Sequence, residues 1–136
     1  MSLTMLANID VDDIARAETF YVEALGLEVG RRFGDSGVEL IGASSPIYLL
    51  RKAAGSVAGD ATMQMRDYRR HWTPVHLDFV VDDLAGALAR ARAAGATLEG
   101  EPRTATWGRI ATLADPFGHG FCLIEFRNRG YDEIAT

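Results

Sequence analysis

The sequence predicts an α+β fold made of two copies of one βαβββ module: a strand, a helix and three further strands. The main observation is an internal repeat. Residues 6–51 resemble residues 76–126 when the acidic pair Asp12-Asp13 is placed on Asp82-Asp83. The repeat spans roughly 70 residues, whereas solenoid units span about 20 to 50. We therefore predict two fused copies of one small module.

The first copy begins with a strand that ends at Val11, because apolar and polar residues alternate up to that point. Asp12 or Asp13 offers the side-chain acceptor that starts a helix, and Gly26 ends the helix. One apolar stripe follows this helix and consists of Ile14, Ala17, Tyr21 and Leu25. Three short apolar runs, separated by turn-forming residues, then predict strands over residues 27–33, 38–41 and 47–50.

The second copy repeats this plan with clearer signals. Alternation in its first strand separates two faces, one with His76, Asp78 and Val80 and the other with Leu77, Phe79 and Val81. The helix ends near Gly95, and its apolar stripe consists of Leu84, Ala87, Leu88 and Ala91. Three strands are predicted after the helix, around residues 97–99, 109–113 and 121–126. A tight turn at residues 115–118 precedes the last strand.

Composition narrows the class of protein. A length of 136 residues with 48% hydrophobic and 24% charged residues indicates a folded protein. One domain over residues 1–136 is preferred to the alternative, two very small modules that need each other to bury a core. The sequence contains no membrane-spanning run and no signal pattern, and its one cysteine, Cys122, agrees with a reducing compartment. We therefore expect a cytoplasmic protein without a membrane partner. The net charge of -5 argues against nucleic acid as a partner.

The predicted domain map has a first module at 3–51, a linker at 52–73 and a second module at 74–127. A solvated charged loop is the plain interpretation of the linker. The functional alternative is a lid or a partner surface. The side chains that would form it are Met63, Met65, Tyr68 and the arginines Arg66, Arg69 and Arg70.

Three segments carry a resemblance to a known family: HLDFVVDDL at 76–84, WGR at 107–109 and DPFGHGFCLIEF at 115–126. Together with DVDDIARAETFYVEALGLEV at 10–29, they resemble the vicinal oxygen chelate superfamily. This superfamily groups glyoxalases, bleomycin-resistance proteins and extradiol dioxygenases. The resemblance covers nearly the whole chain and implies two βαβββ modules whose curved mixed sheets form a cleft. It is far less specific for the reaction.

In metal-using members of the superfamily, the ligands lie on the first and last strands of each module. By position, His76 matches such a ligand, whereas its counterpart in the first module is Leu6, which cannot bind a metal. The positions on the last strands hold Tyr48 and Cys122. Mg²⁺, Mn²⁺ or Fe²⁺ needs several converging oxygen or imidazole donors. We therefore expect no cofactor and no metal of the family type.

An alternative for a metal also follows from the resemblance. His76 and Cys122 would hold a softer ion such as zinc, with further donors from Asn8, Asp78 or a water. The plain interpretation is that His76 is structural and that Cys122 is a small buried hydrophobic residue. Glu125 is excluded as a ligand because strand parity places it on the face opposite Cys122.

The remaining candidates each have a ligand-binding and a plain interpretation. Tyr48 donates a hydrogen bond to a ligand or forms an aromatic wall. Trp107 stacks on a ligand or packs beside the Gly108 turn. His119, in the turn after Gly118, is expected to meet solvent.

Two main classes of function remain open. The favoured class is a metal-independent small-molecule binder of the bleomycin-resistance kind, whose ligand-binding residues are Asn8, Tyr48, His76, Asp78, Trp107 and Cys122. The alternative is a glyoxalase-like lyase, isomerase or dioxygenase. In that class a divalent metal (Zn, Ni, Mn or Fe), or His76 as catalytic general base, moves a proton beside a carbonyl. A third class is an interaction module without a ligand. We also expect a homodimer, because small relatives commonly pair and open sheet edges favour pairing.

Overall fold

A computed structural model describes residues 2–136 and confirms the α+β fold with two βαβββ modules. The chain divides between Arg69 and Arg70 into two compact units, each with one module. Among the described residues, none of the helices has the length and apolar character that a bilayer span requires.

The first unit contains one helix and a four-stranded mixed sheet with the strand order β1-β4-β3-β2. Strand β1 pairs in parallel with β4, and the other neighbours are antiparallel. Its elements are β1 (Ala7–Val11), α1 (Ile14–Leu25), β2 (Glu28–Phe33), β3 (Gly37–Ile41) and β4 (Ile47–Arg51).

The second unit has the same topology, with the strand order β5-β8-β7-β6 and a parallel pair β5 and β8. A short 3-10 helix, η1 (Gly130–Glu133), follows the sheet. The other elements are β5 (Leu77–Val80), α2 (Leu84–Ala94), β6 (Thr97–Ala105), β7 (Gly108–Ala114) and β8 (Gly120–Phe126). Strand β6 is longer than the sequence pattern predicts, since the pairing with β7 resumes after an irregularity between Glu99 and Arg103.

Strand register confirms the overlay of the two copies. Asn8 lies opposite Tyr48 in the first sheet, and Asp78 lies opposite Cys122 in the second. The overlay placed Asn8 on Asp78 and Tyr48 on Cys122, so both pairs occupy the same position in their sheets. Residues that share a position along the repeat therefore occupy equivalent positions in their own sheets.

The second aspartate of each acidic pair caps the helix that follows it. The side chain of Asp13 accepts a hydrogen bond from the Arg16 backbone N–H at 3.0 Å, and Asp83 does the same for Gly86 at 3.2 Å. Gly26 ends α1 in a left-handed conformation, with a φ of 68°. The buried helix positions are Ala17, Phe20, Tyr21 and Ala24 in α1 and Leu84, Ala87 and Ala91 in α2.

The linker is more structured than a solvated loop. The side chain of Arg66 donates to Asp10 Oδ2 at 2.8 Å and to the Val57 carbonyl at 2.6 Å, and it is mostly buried. A single β-bridge joins Val57 to Met65 and closes a small hairpin. Met63, near its tip, is 94% exposed. Arg66 therefore fixes this hairpin to the first unit by donating to a main-chain carbonyl and to the Asp10 carboxylate. The residues around Arg66 in the sequence do not predict this role.

Candidate functional site

The candidate site lies on the face of the second sheet that points away from α2. Glu125 identifies the helix side, because its Oε1 accepts the Leu84 backbone N–H at 3.0 Å at the start of α2. Cys122 has the opposite parity in β8 and therefore faces the other way. We call this side the His76 face and define it by His76, Asp78, Thr112, Gly120 and Cys122.

His76 lies directly before β5 and contacts two side chains. Its Nε2 is 3.2 Å from Asp78 Oδ1, and its ring centroid is 4.8 Å from that of Trp72. Trp72 also covers Gly120 so closely that a Cβ there would lie 2.1 Å from the indole ring. Since 47% of Trp72 remains exposed, the indole offers an accessible aromatic surface beside His76 and Asp78.

Cys122 forms the buried floor of this site and is 4% exposed. Its Sγ is 3.6 Å from Thr112 Oγ1, and it is an unpaired cysteine. Burial raises the pKa of the Cys122 thiol, and the neighbouring Asp78 carboxylate adds to the rise. The thiol is therefore protonated near neutral pH in the absence of a cation.

The segment that carries Trp72 is fixed to the turn before β8. The Arg70 guanidinium donates to both carboxylate oxygens of Glu99, at 2.5 and 2.6 Å, and to the Gly118 carbonyl at 3.2 Å. His119 Nδ1 lies 2.9 Å from His71 Nε2, so the two rings share a hydrogen bond. His119 was expected to meet solvent, and it is half-buried, because the His71 ring packs against one side of it.

The first unit carries a polar network at the corresponding position of its sheet. Glu39 is buried and accepts hydrogen bonds from the Arg31 guanidinium at 2.7 Å and from the Tyr48 hydroxyl at 2.8 Å. Arg31 also donates to the Tyr48 oxygen at 3.0 Å. Glu39 and Arg31 were not among the predicted site residues. The available signal was the carboxylate of Glu39, which lies between Val38 and Leu40 in a strand that has no other polar side chain.

This network makes the stability of the first unit dependent on pH. The Arg31 side chain, its backbone N–H and Tyr48 all stabilise the charged carboxylate and lower the pKa of Glu39 from 4.5 to about 2. A lowered pKa contributes stability above pH 4.5 that is lost as the pH falls towards 2. We expect Glu39→Gln to lower the melting temperature at pH 6, and the gap to wild type to narrow between pH 4.5 and 2.

Thermal unfolding followed by circular dichroism between pH 7 and 2 measures this gap. Glu28→Gln is the matched control, because Glu28 is an exposed glutamate on the same hairpin. A gap between wild type and Glu39→Gln that stays constant down to pH 2 would contradict the prediction.

The structure places the other two predicted ligand-binding residues as follows. Asn8 is exposed on β1 beside Tyr48. Trp107 lies in the turn between β6 and β7, with its ring centroid 5.2 Å from Tyr131 and 6.4 Å from Phe126. Trp107 therefore packs on residues at the end of the second unit. Asn8 and Tyr48 belong to the first unit, whereas the His76 face belongs to the second.

The first-unit residues at the family's metal-ligand positions do not fit a hard cation such as Mg²⁺. Leu6 has no donor atom, and the Tyr48 hydroxyl is already bonded to Glu39 and Arg31. The second unit brings together a different set. One ligand atom each from His76, Asp78 and Cys122 lies within 4.8 Å of the others. This group mixes nitrogen, oxygen and sulfur, which is typical of soft or borderline metal ions and not of Mg²⁺.

Comparison with known proteins agrees with this architecture. A family model described as a glyoxalase-like domain matches residues 7–124, which reach from the start of β1 into β8. The chain belongs to the glyoxalase-like domain family. The resemblance to the vicinal oxygen chelate superfamily is thereby confirmed, and a solved structure described as a glyoxalase/bleomycin resistance protein/dioxygenase family enzyme has a similar fold.

Two curated relatives are similar in sequence to this glyoxalase-like chain. The anthracycline biosynthesis protein DnrV of Streptomyces peucetius is 33% identical over 125 residues, which cover 91% of this chain and 41% of DnrV. The chain thus spans about two fifths of the length of that relative. An uncharacterized protein of Mycobacterium bovis is 35% identical over 133 residues, which cover 93% of this chain and 86% of that protein.

A solved structure provides a third comparison. TnmS3, an antibiotic binding protein from Streptomyces sp. CB03234, aligns with a TM-score of 0.66 and 25% sequence identity. The alignment covers 93% of this chain and 98% of TnmS3. TnmS3 is therefore similar in fold to this glyoxalase-like chain over nearly its full length.

Proposed function

We propose that the chain binds a small planar organic molecule on the His76 face of its second unit. The observation that carries this proposal is the half-exposed Trp72 indole, held over the sheet beside the exposed polar side chains of His76 and Asp78. An aromatic surface next to a few fixed polar groups is the usual composition of a small-molecule site. The indole binds the flat part of the ligand, and the imidazole and carboxylate bind its hydroxyl or amino groups.

Trp72 is well held for this purpose. The ion pair of Arg70 with Glu99 lies on its N-terminal side, and the Arg70 guanidinium also sits 5.5 Å from the Trp72 ring centroid. A ring that is already ordered loses little side-chain entropy when a ligand stacks on it. The arrangement therefore favours flat, rigid ligands over flexible chains.

The functions of two relatives support a planar aromatic ligand. DnrV is an anthracycline biosynthesis protein, and TnmS3 is an antibiotic binding protein. Anthracyclines are flat fused-ring quinones with hydroxyl groups and an amino sugar, and the sugar is cationic at neutral pH. The net charge of -5 and the exposed Asp78 carboxylate are compatible with such a cation.

A fluorescence titration with daunorubicin tests the proposal, with EDTA present throughout so that no metal contributes. The chain has two tryptophans, and each single-tryptophan variant isolates one of them. In Trp107→Phe the remaining Trp72 should be quenched on binding. In Trp72→Phe the remaining Trp107 should not respond. Quenching of Trp107 in Trp72→Phe, together with a silent Trp72 in Trp107→Phe, would place the ligand elsewhere.

Calorimetry measures the contribution of the indole to affinity. Trp72→Ala should weaken binding of daunorubicin by about 0.5–1.5 kcal/mol, or roughly two- to tenfold in Kd, which is typical of one aromatic contact. Trp107→Ala is the matched control and should leave Kd unchanged. Wild-type affinity in Trp72→Ala would contradict the proposed binding surface.

A second candidate function is a lyase, isomerase or dioxygenase that uses His76 as a catalytic general base. The observation in its favour is the 3.2 Å contact between Asp78 Oδ1 and His76 Nε2, which orients the imidazole. The other ring nitrogen would accept a proton from a carbon beside a carbonyl. Exchange of that hydrogen with deuterium in pyruvate, followed by NMR, should occur with wild type and not with His76→Gln. Equal exchange rates would reject this role.

We further propose that the chain is a homodimer located in a reducing compartment. Each sheet has two edge strands, β1 and β2 in the first and β5 and β6 in the second, and unpaired edges favour association. The unpaired Cys122 is compatible with a reducing environment. Light scattering coupled to size-exclusion chromatography should give twice the 14.8 kDa mass of one chain. A single-chain mass across micromolar concentrations would reject the dimer.

A further inference from the structure

We propose that the second unit holds a zinc ion with a donor set contained entirely within that unit: His76 imidazole, Asp78 carboxylate and Cys122 thiolate. Their ligand atoms lie within 4.8 Å of one another. This site differs from the family arrangement, which takes two ligands from each module. It also uses Asp78, which is not at a family ligand position. The proposal does not depend on the organic ligand proposed above.

The geometry requires only small side-chain movements. In a tetrahedral site with zinc bonds of about 2.0 to 2.3 Å, neighbouring ligand atoms lie about 3.3 to 3.8 Å apart. The 3.2 Å separation of His76 Nε2 and Asp78 Oδ1 already satisfies this spacing. Both side chains are about one-third exposed, at 34% and 36%, so they can rotate towards the sulfur without disturbing the core.

The sheet fixes the two anionic donors next to each other. Asp78 and Cys122 are direct partners in the parallel pairing of β5 with β8, and both point away from α2. Strand pairing therefore holds the carboxylate and the sulfur together before any ion arrives. Thr112 Oγ1, at 3.6 Å from the sulfur, is positioned to orient it.

The charge and softness of the donors select zinc among the common ions. A carboxylate, a thiolate and a neutral imidazole together carry two negative charges, which neutralise one divalent cation. On binding, the S–H bond of Cys122 breaks, a zinc–sulfur bond forms, and the proton passes to solvent. Thiolate and imidazole are poor ligands for Mg²⁺ or Ca²⁺ and good ligands for Zn²⁺. Three protein ligands is the number found in zinc sites that keep one position open.

Metal titration of the untagged full chain, stripped with a chelator and dialysed, tests the proposal. Equilibrium dialysis against zinc sulfate, read by atomic emission, should give one zinc per chain. Cobalt chloride should produce a sulfur-to-cobalt charge-transfer band in the near ultraviolet together with the visible bands of a tetrahedral ion. Both readouts are independent of catalysis and of any organic ligand.

Variants assign the donors. Cys122→Ser should abolish the charge-transfer band, and Cys122→Ser, Asp78→Asn and His76→Gln should each weaken zinc binding by at least about tenfold. Asp78 is exposed, so Asp78→Asn retains the fold, which circular dichroism verifies for every variant. The control is the double variant His71→Gln and His119→Gln, which removes the two histidines of this unit that are outside the proposed site. This variant should bind zinc as wild type does.

Three results would overturn the proposal: zinc retention no greater than in Cys122→Ser, a cobalt spectrum without the sulfur band, or loss of zinc in the His71 and His119 double variant. Because the daunorubicin titration is made in EDTA, its failure and the failure of the zinc site are separate results.

Discussion

Replacing Gly108 with alanine is expected to unfold the second unit. Gly108 begins β7 with a φ of 148°, a region that residues with a Cβ rarely adopt. A Cβ at this position would lie 2.1 Å from the Glu125 carbonyl oxygen and 3.0 Å from Phe126 Cα. These atoms belong to the backbone of the neighbouring strand β8, so no side-chain rotation relieves the clash. We expect Gly108→Ala to cost more than about 4 kcal/mol.

Gly100 provides a matched control for the backbone component. It also has a positive φ, 74°, but a Cβ there would meet nothing within 4 Å. Gly100→Ala should therefore cost only the strain of the left-handed conformation, about 1–2 kcal/mol. Both tryptophans belong to the second unit, so their fluorescence during urea unfolding reports on it directly. Equal midpoints for the two variants would show that the close approach of β7 and β8 does not matter.

Truncation of Leu123 is expected to produce the second large loss of stability. Leu123 is fully buried in β8, on the face that packs on α2, between its strand neighbours Phe79 and Ala111. Leu123→Ala removes three buried carbons and leaves a cavity that a packed helix and sheet cannot close. Such substitutions cost about 2–5 kcal/mol. The urea midpoint should fall while the slope m remains unchanged.

Val80→Ala serves as the control in the same sheet. Val80 is 60% exposed on β5, so its truncation should change stability by only a few tenths of a kcal/mol, within the roughly 0.5 kcal/mol of ordinary surface substitutions. A Leu123→Ala midpoint indistinguishable from that of Val80→Ala would contradict the position of Leu123 at the interface between the sheet and α2.

Much of the fold follows from local patterns in the chain. Apolar residues at helical spacing predicted both helices, and the second aspartate of each acidic pair starts its helix as a cap. Alternation in the strands separated the two faces of each sheet, and the repeat aligned Tyr48 with Cys122 in agreement with the observed register. The helices and the strand faces depend on residues near one another in sequence, so periodicity reveals them, whereas the equivalence of Tyr48 and Cys122 comes from comparing the two copies.

The candidate site was only partly predictable. His76, Asp78 and Cys122 were named from strand parity and from the resemblance to the superfamily, and the structure brings their ligand atoms together. Trp72 was not named as a ligand contact. Its position over Gly120 depends on the path of the segment before β5, and no pattern in the sequence encodes that path.

The sequence by itself determined the duplicated module through its internal repeat. It also determined the order of the elements and the facing of the strands, because these depend on spacings of two to four residues. Only the tertiary structure decided which polar side chains meet. Glu39 with Arg31 and Tyr48, Arg66 with Asp10, and His71 with His119 are such pairings. Arg66 and Asp10 are 56 positions apart in the chain, and His71 and His119 are 48 positions apart. Hydrogen bonds between them depend on strand register and on side-chain direction at distances of about 3 Å, which hydrophobic periodicity does not specify.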